Sequence, residues 1–103
     1  MPRPYGEKFL LWLYQQEGGT LEMRLAKTCV EANLPMSYVA AAIGVSKISI
    51  FKWFRGRKIN SSNQRMVEVF LDLVQKDTEA GVLPAQSIRH AKHYIETMIG
   101  REL

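Results

Sequence analysis

The stretch from Met36 to Gly56 constrains this chain most: Met-Ser-Tyr-Val-Ala-Ala-Ala-Ile, then Gly-Val-Ser, then Lys-Ile-Ser-Ile-Phe-Lys-Trp-Phe-Arg-Gly. It reads as a short helix, a tight turn and a second helix. Two helices joined this closely need a small residue where they approach, a residue tolerant of positive φ in the turn, and apolar side chains that lock their angle. Ala40 supplies the first and Gly44 the second, while Val39, Ile43, Val45, Ile50 and Trp53 are placed to supply the third. Ser46 stands where the second helix needs an N-cap, with a hydroxyl able to accept a free N–H. The helix dipole then leaves that end favourable for an anion such as phosphate.

Charge is concentrated around this motif. From Ala32 to Val67 there is no Asp or Glu, whereas Lys47, Lys52, Arg55, Arg57, Lys58 and Arg65 give +6. The remaining 8 of the 14 basic residues, set against all 10 acidic ones, leave −2, so the whole-chain +4 conceals a local positive region. A helix–turn–helix spacing coinciding with that region points to nucleic acid, and to duplex DNA in particular.

Val39-Ala40, Gly44-Val45-Ser46, Ile50, Trp53 and Arg55-Gly56 together resemble the Cro/C1-type helix-turn-helix of phage repressors and related bacterial regulators, the lambda-repressor-like fold. The likeness spans Leu21 to Val74 with flanking helices counted, and its specific part is about twenty residues. The resemblance implies a compact helical domain that binds operator DNA as a homodimer, its second motif helix (residues 46–55) in the major groove. Carried onto this chain, it makes Lys47, Ile48, Ser49 and Lys52 the base-reading residues. Arg55, Arg57 and Lys58, at the helix end and in the following loop, become the phosphate clamp. Pro35 and Met36 depart from the family's usual Ser or Thr and polar residue at the first motif helix, which leaves Ser37 as the replacement phosphate contact there.

The rest of the chain also reads as helix, so the expected fold class is all-α, one domain over residues 1–103 with additional terminal helices. A first helix is expected over Tyr5–Gln16, stopped by Gly18-Gly19. Thr20 caps a second, whose Leu21, Leu25, Thr28 and Ala32 form one stripe. Ser61 with Gln64 fits a capping box opening a long helix to about Ala80. Gly81 ends that helix, and Pro84 opens a last one running to Ile99 before Gly100. Met66, Phe70 and Leu73 form one apolar stripe on the long helix, and Val67, Leu71 and Val74 a second. That arc is too wide for one neighbour, so either the terminal helices, with Phe9, Trp12, Ile88, Ile95 and Ile99, or a second copy of the chain must complete its cover.

Function classes are narrowed by what the 103 residues lack. Catalytic triad order, P-loop and dinucleotide fingerprint are missing, so an enzyme is not expected and no cofactor is implied. His90 and His93, three residues apart, lack further ligands at a metal-binding spacing, and no metal site is expected. Cys29 reads as a small buried residue, Trp12 and Trp53 as core, and Phe54 and the more exposed Phe51 as core packing, with stacking on bases as the alternative for both. The first residues lack the order of a signal peptide, and the run Phe9–Tyr14 is too short to cross a bilayer, which predicts a cytoplasmic protein without membrane contact.

The leading expectation is a transcriptional regulator of repressor type acting on double-stranded DNA. Two alternatives share the scaffold: a protein–protein interaction module aimed at polymerase or a repressor, and a DNA-packaging or replication protein.

Overall fold

The computed structural model describes residues 4–103, and all its regular structure is helical: α1 (Glu7–Gln15), α2 (Leu21–Glu31), α3 (Met36–Ile43), α4 (Lys47–Phe54), α5 (Ser61–Glu79) and α6 (Ile88–Ile99). The fold is all-α. Local chemistry sets several of the boundaries. The Thr20 hydroxyl accepts the Met23 N–H at 3.2 Å and opens α2. At the other end of α2, Asn33 takes the left-handed conformation at φ 58°, and the Leu34 N–H turns back onto the Cys29 carbonyl at 3.0 Å. Glycine usually fills such a position, and Asn is the side chain that tolerates it best.

Three boundaries differ from the sequence expectation, the first and last for a tertiary reason and the second through local side-chain bonds. The first helix begins at Glu7 and not Tyr5, because Tyr5 is held across the fold: its hydroxyl donates to the Leu34 carbonyl and its ring lies 5.9 Å from Phe54. The long helix has Asn60, one residue before Ser61, at its N-cap position without a side-chain bond to a free N–H, and the Ser61–Gln64 box does not form. Gln64 instead donates its side-chain amide to the Ile59 carbonyl at 3.2 Å, and Asn63 reaches Asn60 Oδ1 at 2.7 Å. The last helix starts at Ile88 and not Pro84, under a Ser87 cap that accepts the His90 N–H at 3.0 Å. The segment before it is tied to the end of α2, where the Ala85 N–H donates to the Ala32 carbonyl at 2.9 Å and the Asn33 amide to the Ala85 carbonyl at 3.2 Å. Those bonds hold the backbone away from helix until Ser87.

Leu13, Leu25, Leu34, Val39, Ile50, Phe54, Ile59, Val67 and Ile95 are fully buried in one core to which every helix contributes. Each such side chain stabilises the fold by about 1.5–3 kcal/mol relative to exposure. Within that core α3 packs between α4 and α6, and α2 packs on α1, α4 and α5. Cys29 is buried with them, and burial pushes its thiol well above the ordinary range, so it stays protonated and unreactive.

The wide apolar arc of α5 is only partly covered. Val67, Phe70, Leu71 and Val74 are buried, while Met66 and Leu73 remain 47% and 41% exposed. Phe9, expected to help cover α5, packs on α4 instead, its ring stacked 6.3 Å from that of Phe54. Trp12 stacks on Phe9 at 6.1 Å and is half-buried, packed against the edge of the core. Ile95 is buried as expected, but Ile88 is exposed. No helix among the described residues is long and apolar enough to cross a membrane.

Candidate nucleic-acid interface

Residues at both ends of α4 define its place on the surface. At the N-terminal side Gly44 adopts φ 87°, and the Val45 N–H returns to the Ala40 carbonyl at 3.0 Å, closing α3 and turning the chain. Ser46 then caps α4 by accepting the Ser49 N–H at 3.1 Å. At the C-terminal side Gly56 adopts φ 95°, the Gly56 N–H bonds the Trp53 carbonyl at 2.9 Å, and the Arg57 N–H bonds that of Lys52 at 3.1 Å. This paired return is a Schellman closure, and only a residue free of Cβ strain enters it without cost. The result is a rod of about 12 Å, given 1.5 Å per residue.

One side of that rod is core and the other is solvent. Ile50, Trp53 and Phe54 are buried. Ile48, Phe51, Lys52 and Arg55, at i, i+3, i+4 and i+7, share the outer face, with Ile48 67% and Phe51 45% exposed. Lys47 is exposed in the first turn. Ser49 is half-buried, its hydroxyl 3.0 Å from that of Ser46, so it reinforces the cap at the edge of the face. The placement of Phe51 corrects its assignment to the core: the inward face of α4 runs through Ile50, Trp53 and Phe54 and leaves Phe51 at its exposed side. Phe51 instead supports Arg55, whose guanidinium carbon lies 3.5 Å from its ring centroid, while Nη1 donates to the Phe51 carbonyl at 3.2 Å. Partial burial lowers the Arg55 pKa from its usual high value, leaving the group charged.

Arg57 and Lys58 follow on an exposed loop that is anchored, not free. Ile59 is fully buried, its N–H donates to Glu22 Oε2 at 2.9 Å, and its carbonyl accepts from Gln64 at 3.2 Å. Glu22 therefore positions the basic loop from a helix 37 residues earlier. No sequence signal pointed to it, since a carboxylate in a first helical turn reads simply as favourable to the dipole. Removing this acceptor leaves a half-buried N–H unpaired, so Glu22→Ala is expected to cost about 1–3 kcal/mol in urea unfolding. Glu22→Gln retains an acceptor oxygen and should recover most of that loss.

Lys47, Ile48, Lys52, Arg55, Arg57 and Lys58 thus all stand exposed on α4 and the loop that follows it. Ser46 and Ser49 shape the start of the helix. Ser37 is exposed in the first turn of α3, behind the Pro35 boundary. Arg65 is exposed on α5. Among the described residues no group of three or more His, Cys, Asp or Glu side chains could hold a metal ion. His90 is occupied by accepting the Gln86 N–H on Nδ1 at 3.0 Å. The chain matches no protein-family model, no curated protein and no solved structure in comparisons with each.

Proposed function

We propose that this chain is a sequence-specific duplex-DNA-binding regulator of repressor type that works as a homodimer and reads the major groove with α4. The observation that carries the reading is the outer surface of α4 and its loop, where Lys47, Lys52, Arg55, Arg57 and Lys58 stand exposed within a segment that has no carboxylate. A short rod that is cationic outside and apolar inside, held at both ends by tight turns, fits a groove lined with phosphates. In this reading Lys47 and Lys52 donate to guanine O6 or N7 and Ile48 packs on a thymine methyl. Arg55, Arg57 and Lys58 hold the backbone.

The homodimer is supported by the uncovered part of α5 and α6. Met66, Val69 and Leu73 of α5 line an open apolar groove of about 260 Å³ with Met98 and Ile99 of α6. A second copy seated there would complete the cover that one chain lacks. Selection of bound duplexes from a random pool tests both parts. The expected result is a two-fold-symmetric consensus with half-sites about 10–10.5 base pairs apart, centre to centre. An enriched pool without symmetry would retain DNA binding and remove the dimer, and no enrichment at low salt would remove both.

A second reading, a module that binds another protein such as polymerase, is favoured by the exposure of Ile48 and Phe51 on α4 and of Leu11 and Tyr14 on α1. Large apolar side chains left outside are common at protein contacts. That reading predicts no duplex binding at any salt concentration.

A further inference from the structure

The packing of α1 against the end of α4 creates a feature that the reading of α4 alone does not use. Lys8, Phe9, Trp12 and Arg55 line an open groove of about 410 Å³. Its walls are the Phe9 and Trp12 rings, stacked 6.1 Å apart, and its rim carries two cations from different helices. Arg55 is fixed there before any ligand arrives. Its guanidinium carbon lies 4.9 Å from the Phe9 ring centroid and 3.5 Å from that of Phe51, and Nη1 is held by the Phe51 carbonyl at 3.2 Å. One bond from Nη1 goes to the Phe51 carbonyl, and the guanidinium's other N–H donors remain to grip a phosphate. The side-chain hydrogen bond of Arg55 goes to a carbonyl and not to a carboxylate. Glu7, next to Lys8 in sequence, does not line the groove.

We propose that the Lys8–Arg55 groove binds one phosphodiester of duplex DNA next to the segment read by α4, so that α1 extends the footprint along the backbone. The two cations take the phosphate oxygens, and the Phe9 and Trp12 rings pack against the apolar face of the adjoining deoxyribose. Duplex DNA is favoured over an acidic peptide because the groove is continuous with the proposed reading surface: Arg55 closes the same outer face that carries Ile48 and Lys52. Lys8 is then a binding residue outside the helix–turn–helix. The inference rests on the duplex-binding reading and adds to it a phosphate held by α1.

The test uses the full chain and a fluorescently labelled duplex of about two helical turns, with affinity measured by anisotropy across a salt series. Each neutralised phosphate contributes about 0.9 to the slope of log affinity against log salt, or roughly eightfold at 0.1 M relative to 1 M. Because Arg55 still faces the shared phosphate, Lys8→Gln is expected to lower the slope by part of that amount and Lys8→Gln with Arg55→Gln by about 0.9 per protomer, equally for unrelated duplex sequences, with Lys8→Arg restoring the wild-type slope. Lys8 is exposed, so the variant should keep the wild-type melting temperature. Arg57→Gln, outside the groove, serves as the reference. If Arg57→Gln lowers the slope and Lys8→Gln leaves it unchanged, the groove is not a backbone site although the chain binds DNA. If a labelled Asp/Phe-rich peptide binds the wild type and loses affinity with Lys8→Gln while duplex binding is unaffected, the groove belongs to a protein partner and the inference is overturned. If the wild type retains no duplex at low salt, the functional reading itself fails.

Discussion

Phe54→Ala is expected to destabilise the chain by about 3–5 kcal/mol, the usual cost of truncating a fully buried aromatic residue. At about 4 °C or more per kcal/mol for a chain of this size, the melting temperature should fall by about 12 °C or more. The effect is large because Phe54 joins three pieces of the fold. It is fully buried, its ring lies 5.9 Å from Tyr5 and 6.3 Å from Phe9, and it sits in the last turn of α4, beside Arg55. Truncation would open a cavity between α1 and α4 and loosen the Phe9 ring that faces the Arg55 guanidinium. Phe54→Leu keeps most of the volume and should lose less than half as much. Equal losses for the two variants would mean that the aromatic stack, and not the filled volume, holds α1 in place. Calorimetry on both variants separates the cases.

The same junction shows which parts of the molecule are legible from sequence. Thr20, Ser46 and Gly44 act where the sequence places them because each responds to its immediate neighbours: a hydroxyl meets a free N–H three residues on, or a glycine enters a conformation that other residues resist. The α3–turn–α4 unit is therefore readable locally, and so is the exposure of Lys47, Lys52, Arg57 and Lys58. What escapes is decided across the chain. Pro84 fails to open α6 because Ala85 is bound to Ala32 and Asn33, a pairing that local propensity cannot register. Phe51 and Phe54 have the same side chain, and it is Phe54 that meets the distant rings of Tyr5 and Phe9 and is buried. Glu22 acquires its role from a partner 37 residues away. The stripe on α5 is visible in sequence, but its division into a buried part and the half-exposed Met66 and Leu73 depends on where α2 and α3 pack against the helix.

Lys47→Ala combined with Lys52→Ala is expected to weaken binding to the selected duplex by about 2–6 kcal/mol, at about 1–3 kcal/mol for each lysine–base pairing removed, while binding to unrelated duplexes weakens far less. The contrast is with Arg57→Gln combined with Lys58→Gln. These residues lie on the exposed loop beyond Gly56 and are assigned to phosphates. Their loss should weaken all duplexes alike and lower the salt slope by about 1.8 per protomer, or about 3.6 for the homodimer, since each phosphate contributes about 0.9. With Arg55, Arg57 and Lys58 of both protomers on phosphates, the wild-type slope should be near −5.4, about 0.9 for each of about six contacts, and affinity should fall roughly 1,800-fold between 50 and 200 mM salt. All four substituted positions are exposed, so neither double variant should shift the melting temperature, and a change in binding reads directly on the interface. The two outcomes differ in kind because the two pairs differ in place. Lys47 and Lys52 are carried on a rod capped by Ser46 and closed at Gly56, which fixes where they leave the helix surface. Arg57 and Lys58 follow that closure on a loop held through Ile59, a placement suited to a charge that must be near a backbone but need not be aimed. If the lysine pair weakens every sequence equally and the loop pair changes sequence preference, α4 lies along the backbone and the loop enters the groove, which would reverse the assigned roles.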